Sequence, residues 1–218
     1  MTDTLTAPRP RVSATPRRRS AARWTVAGGV AAGPVFLAAG IAQGLARDGF
    51  DFTRNAISQL ALGETGRLQT ASFVLTGALL IAGAAGLRKA LGGGPGGTWG
   101  PALVGVFGLS FWLAAAFPAD PGAGFPAGAP EVPVMSGHGA VHMFGGMVGY
   151  LALCAAFLVL ARPLAARGLR GWAAASRIAP VAVLAGFAAS AASVLAFTVG
   201  AGLGLLWLSA VTARLAGR

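Results

Sequence analysis

The chain of 218 residues is short of nearly everything that coats a soluble protein. Only six residues are acidic, and of the seventeen basic residues a single one, Lys89, is lysine. With 11% charged residues against 55% hydrophobic ones, there is too little charge to cover a domain folded in water. One cysteine, Cys154, excludes an intramolecular disulfide; lying in an apolar run, it reads as a packing residue. His138 and His142 are the only histidines, so imidazole chemistry has just two places to sit. No long apolar stretch carries a charge at its middle, which argues against ion-coupled transport through intramembrane carboxylates. The net charge of +11 does not indicate nucleic acid, because the arginines lie at the ends of apolar runs and in an N-terminal segment, with no basic-aromatic face.

What the chain has in abundance is Ala, Gly, Leu and Val in stretches long enough to cross a bilayer. In hydrocarbon each backbone group needs a partner within its own segment, so each stretch reads as a transmembrane helix. Six spans are expected, at about 24–46, 69–91, 99–117, 138–161, 177–197 and 199–214. The first five are separated by breakers: polar residues 47–67, Gly-rich residues 92–97, the Pro/Gly stretch 118–133, and the arginine-bearing residues 162–177. Between Ala179 and Ala213 nothing is charged, and the small-residue segment Gly200-Ala201-Gly202-Leu203-Gly204 is the expected turn. Residues 1–23, with Pro8, Pro10, Pro16 and six arginines, bury too little apolar surface to offset ordering, so a disordered basic tail is expected before a domain of residues 24–216. The run from Trp24 to Ala46 is longer than a signal-peptide core and is followed by further spans, which favours an uncleaved first helix.

Charge sets the orientation. With the tail in the cytoplasm, fourteen basic residues fall inside and three, Arg47, Arg54 and Arg67, outside. A six-helix all-α bundle with both termini inside satisfies this rule; five spans would move Arg214 and Arg218 to the wrong side. Small residues four apart, such as Gly29 and Gly33 or Gly145 and Gly149, imply close packing between helices. The Ala, Gly, Arg and Pro bias matches a high-GC bacterial coding sequence, and the expected location is the inner (plasma) membrane.

The unusual polar residues gather in the two sizeable outer loops. His138 and His142 stand one helical turn apart, a spacing that can grip one metal ion, zinc being the obvious choice. Asp120 is the natural third ligand, with Asp51 or Glu131 behind it, and a metal-bound hydroxide there would suit hydrolysis of a lipid head group or amide. The plainer reading has the imidazoles bonded to loop carbonyls at a helix start. Asp120 is expected to act as ligand or general acid/base, to pair with Arg54, or to cap a turn. Ser58 becomes a nucleophile only with a base beside it, which His138 or His142 would have to supply. A short interfacial helix would place Arg54, Asn55 and Ser58 on one face.

Three segments carry a resemblance. They are Arg54-Asn55-Ala56-Ile57-Ser58-Gln59-Leu60 after the first span, Phe117-Pro118-Ala119-Asp120 after the third, and Gly137-His138 through His142 opening the fourth. Together they resemble the DUF998 family, small prokaryotic membrane proteins of unknown function with about six helices. The uncharged stretch from Phe197 to Leu203 departs from the polar connection that such proteins show before the last helix. More distantly, Ser58, Asp120 and the histidine pair are similar in residue type to ceramidase-like membrane hydrolases, although a further histidine of those enzymes has no counterpart here. The expected protein is therefore structural, lipid-binding or accessory, with an outward polar clasp. Its expected partners are membrane lipids and, for the tail arginines, anionic head groups. The alternative is a metal-dependent hydrolase of a lipid or amphiphile, with His138, His142 and Asp120 as ligands and Ser58 or a bound water attacking.

Overall fold

A computed structural model describes residues 16–217, with side chains from Trp24 onward. Six helices follow one another: α1 (Pro16–Ala46), α2 (Gly66–Leu91), α3 (Pro95–Ala116), α4 (Gly137–Ala166), α5 (Arg170–Ala189) and α6 (Val194–Ala216). All six are long and apolar enough to cross a membrane, and no β-strand occurs among the described residues. Most of the expected tail, residues 1–15, lies outside the described residues. Helix α1 opens at Pro16 and runs on without a break into the apolar span from Trp24. Proline suits a first helical turn, and the Arg and Ala residues after it are strong helix formers.

Each helix packs on its neighbours in sequence, and α1 closes the ring against α6. Large side chains such as Leu45, Val74, Leu109, Met147 and Leu151 point outward, as a bundle bathed in hydrocarbon requires. Inside, glycines set the spacing. A methyl group on Gly29 of α1 would lie 2.7 Å from the Gly83 Cα of α2, and one on Gly33 would lie 2.8 Å from the Leu205 carbonyl of α6. Close backbone approach of this kind replaces the hydrophobic drive that helices lose in lipid.

The last two helices differ from expectation. Residues 190–193, and not Gly200 to Gly204, form the turn, so α5 ends at Ala189 and α6 starts at Val194. The glycines are interior to α6 and serve packing: a methyl on Gly200 would sit 3.0 Å from the Gly186 Cα of α5. The turn is made by local competition for backbone groups. The Ser190 hydroxyl donates to the Phe187 carbonyl at 2.7 Å, and extended Ser193 begins the next helix. Val194 N–H, one of the orphan donors of that helix start, reaches the Thr53 carbonyl of the first loop at 2.9 Å.

The chain's alternation puts residues 47–65, 117–136 and 190–193 at one end of the bundle, the loop end. The short connections of the other end are tied by cations. Arg88 donates to the carbonyls of Gly92 (2.6 Å) and Gly97 (3.0 Å), and Arg167 donates to Leu215 and to Ala90. The Gly92, Ala90 and Leu215 carbonyls lie at or just past helix C-termini, where a positive charge is favourable.

Candidate functional site

The first loop folds around its own polar groups. The Asp51 carboxylate accepts from the Thr53 amide (2.8 Å) and hydroxyl (2.7 Å), and the Thr53 donors keep it below the ordinary carboxylate range. The Asp51 carbonyl takes the amides of Arg54 and Asn55, making a turn where an interfacial helix was expected. Helical geometry begins only with a 3-10 segment, Ile57–Ala61, so Arg54, Asn55 and Ser58 do not share a face. Asn55 is fully buried and accepts from the Asp51 amide at 2.9 Å. Arg54 turns outward to pair with Glu131, and not with Asp120. Arg47 donates to the Leu60 (2.8 Å) and Leu62 (2.9 Å) carbonyls and lies 4.8 Å over the ring of Phe125, which is 1% exposed. Gln59 bonds across to the backbone of Asp120 and Gly122, so the two loops form one cap.

In the second loop Asp120 has a structural task. Its Oδ2 accepts from the Ser136 amide at 2.9 Å and its Oδ1 from the Ser136 hydroxyl at 2.5 Å. The same hydroxyl accepts from the Gly139 amide at 3.0 Å and so caps α4. The Ser136 hydroxyl and amide, with smaller help from the charges of His138 and His142, hold the Asp120 carboxyl below its ordinary range. A Cβ at position 139 would run into the Asp120 carboxylate and force that side chain to shift. Both oxygens of Asp120 are thus engaged in holding the start of α4. This explains why Arg54 finds Glu131 instead.

The two histidines part company. His138 is exposed, with its ring 5.4 Å from that of Phe117. His142 is buried, its Nδ1 2.9 Å from the Phe117 carbonyl, as the plainer reading of these residues expected. A carbonyl can only accept, so Nδ1 carries the proton and Nε2 is the free nitrogen. The expected trio of His138, His142 and Asp120 is not drawn together. Among the described residues no three His, Cys, Asp or Glu side chains are grouped so as to hold a metal ion.

His142 instead lines a cavity of about 310 Å³ in the loop-end half of the bundle, at the small end of the range for ligand sites. Residues from all six helices and the first loop contribute. One wall is aromatic: Phe36, Phe73 and Phe111 meet at centroid distances of 5.1 to 6.1 Å. Tyr150 packs edge-on against Phe187 at 5.2 Å and Phe197 at 5.9 Å on another. Ser58 lines the cavity and Asp120 does not. Tyr150 and Thr198 were not expected in a site. Tyr150 had one signal: it is the chain's only tyrosine and lies two helical turns beyond His142.

Six membrane-spanning helices, a knitted polar cap and an apolar internal cavity define a multi-pass integral membrane protein. The family model described as "Protein of unknown function (DUF998)" matches residues 30–214, and the chain belongs to that family. No curated protein and no solved structure matches the chain, and nothing here connects it with the ceramidase-like hydrolases.

Proposed function

We propose that the protein is a non-enzymatic membrane protein that holds an amphiphile in the cavity beneath its loop-end cap. The observation that carries this reading is the cavity itself, with aromatic and aliphatic walls and a few polar groups among them. Such a lining suits an apolar tail with a small polar head. The charge asymmetry supports a cytoplasmic basic end, with Arg88, Lys89, Arg162 and Arg167 near it, and an outward cap. In the plasma membrane of a bacterium, the N-terminal arginines would then face anionic head groups and the cavity would serve the outer leaflet.

The test is to fill the cavity. Gly146 lines it, and a Cβ at that position meets nothing within 4 Å, so Gly146→Leu adds volume without a backbone clash. Leucine is also the better helix former, by up to about 1 kcal/mol. Native mass spectrometry of wild-type protein released from lipid nanodiscs should show a bound amphiphile that Gly146→Leu lacks, with the thermal midpoint unchanged or raised. Equal occupancy in both proteins would remove the cavity as the binding place.

A hydrolytic reading has one observation in its favour: Ser58 and His142 line the same cavity. It requires Ser58 to be labelled by a fluorophosphonate and the label to be lost in His142→Asn.

A further inference from the structure

The polar atoms of the cavity fall into two sets. The hydroxyls of Ser110 and Ser190 donate to the carbonyls of Phe107 and Phe187, both at 2.7 Å, and are satisfied by their own helices. Four other groups on the wall have no hydrogen-bond partner among the described residues: the hydroxyls of Ser58, Tyr150 and Thr198, and Nε2 of His142. For Thr198 the oxygen is fully buried, and no carbonyl takes it. Thr198 Oγ1 is the one of the four that is shut away, where an unmade hydrogen bond is costly; the other three are open to an occupant.

Their chemistry is specific. With Nδ1–H committed to the Phe117 carbonyl, Nε2 of neutral His142 is an acceptor. Thr198 of α6 also lines the cavity, and rotation of its side chain about χ1 would bring to it an unpartnered hydroxyl that can both donate and accept. A ligand hydroxyl does both jobs at once, giving its proton to Nε2 and taking one from Thr198. Among the described residues no Asp, Glu, Lys or Arg lines the cavity. The nearby loop cations are already used: Arg47 is bound to two carbonyls, and Arg54 to Glu131. A phosphate brought inside would therefore be desolvated with no cation to pair with it.

Resting on the amphiphile-binding reading, we propose that the occupant is a single-tailed amphiphile with an uncharged, hydroxyl-bearing head, such as a monoacylglycerol or a long-chain alcohol. The hydroxyl sits between His142 Nε2 and Thr198 Oγ1, and the tail lies against the aromatic wall.

The experiment uses the full chain in phosphatidylcholine nanodiscs at pH 7.5, with a monoacylglycerol bearing a diazirine in its tail. Photolabelling should map to the buried cavity-lining rings of Phe36, Phe73 or Phe111, which bulk lipid does not reach. Unlabelled monoacylglycerol should compete at concentrations at least about tenfold lower than the phosphate monoester of the same glycerolipid. Thr198→Val keeps the side chain's shape and removes the hydroxyl. His142→Asn keeps an N–H near the position of Nδ1, for the Phe117 carbonyl, and removes Nε2. Each should raise the competing concentration of monoacylglycerol about fivefold, with an unchanged thermal midpoint. Equal competition by the neutral and anionic lipids, or no effect of either variant, overturns the head-group assignment while the cavity still binds. No labelling of the cavity overturns the binding reading as well.

Discussion

The cap and the cavity, adjacent at the loop end, treat their polar groups in opposite ways. In the cap Arg47, Arg54, Asp51, Asn55, Gln59, Asp120 and Ser136 all have partners, nearly all of them within or between the two loops. In the cavity Ser58, Tyr150, Thr198 and one nitrogen of His142 have none among the described residues. Conspicuous charge here marks architecture, whereas the groups free to meet a ligand are quiet hydroxyls and one uncharged ring nitrogen. A satisfied polar network rigidifies, and an unsatisfied one invites an occupant.

The largest effect that would sharpen this contrast comes from Phe125. Its ring is buried under Arg47 and packs at 5.2 Å on Phe50, so it is the centre of the cap. Phe125→Ala should cost about 3–5 kcal/mol, read as a lowered thermal midpoint. At a temperature where the variant stays folded, labelling of the cavity by the diazirine probe should persist. Lost labelling in a folded variant would mean that cap and cavity are one functional unit, and the contrast would break.

The same contrast explains what could be read from the chain. The first four helices were legible because charged or Pro/Gly segments interrupt hydrophobic runs. The turn between α5 and α6 was not, because Ser190 and Ser193 end a helix through hydrogen bonds that hydropathy does not register. The glycines that looked like a turn instead let Gly200 pack against Gly186. In the site, Ser58 and His142 were legible as residue types. Asp120 and His138 drew attention for the same reason, yet one caps α4 and the other is exposed. Thr198 gave no signal at all, since a threonine within a membrane helix ordinarily bonds its own backbone.

A second, intermediate effect concerns acid. Asp120 titrates below its unfolded value, mainly because the Ser136 hydroxyl and amide donate to its ionised form. A depressed carboxyl contributes stability above the unfolded value of about 3.9, and this is lost as pH falls through the folded one. Asp51, held low by Thr53, has the same sign. The thermal midpoint should therefore be flat in this respect between about pH 5 and 8 and fall below about pH 4. Asp120→Asn should lower the midpoint at neutral pH and flatten the acid limb. An unaltered acid limb would mean that the α4 cap does not rest on this carboxylate.

The smallest effect is expected where the eye goes first, at the salt bridge between Arg54 and Glu131. The two side chains are 50% and 71% exposed, so water and salt screen the attraction while two long side chains lose freedom to make it. Exposed pairs of this kind contribute about 0–1 kcal/mol. The loops are already joined by Gln59 and by the rings around Phe125, which do not depend on charge. Arg54→Ala, Glu131→Ala and the double variant should each shift the midpoint by less than a tenth of the Phe125→Ala effect to at most about a third of it, with a coupling that vanishes in about 1 M salt. A coupling that is larger and indifferent to salt would show the pair to be a structural clamp. The cap would then owe its rigidity to charge, and the exposed arginine would rank with the buried phenylalanine.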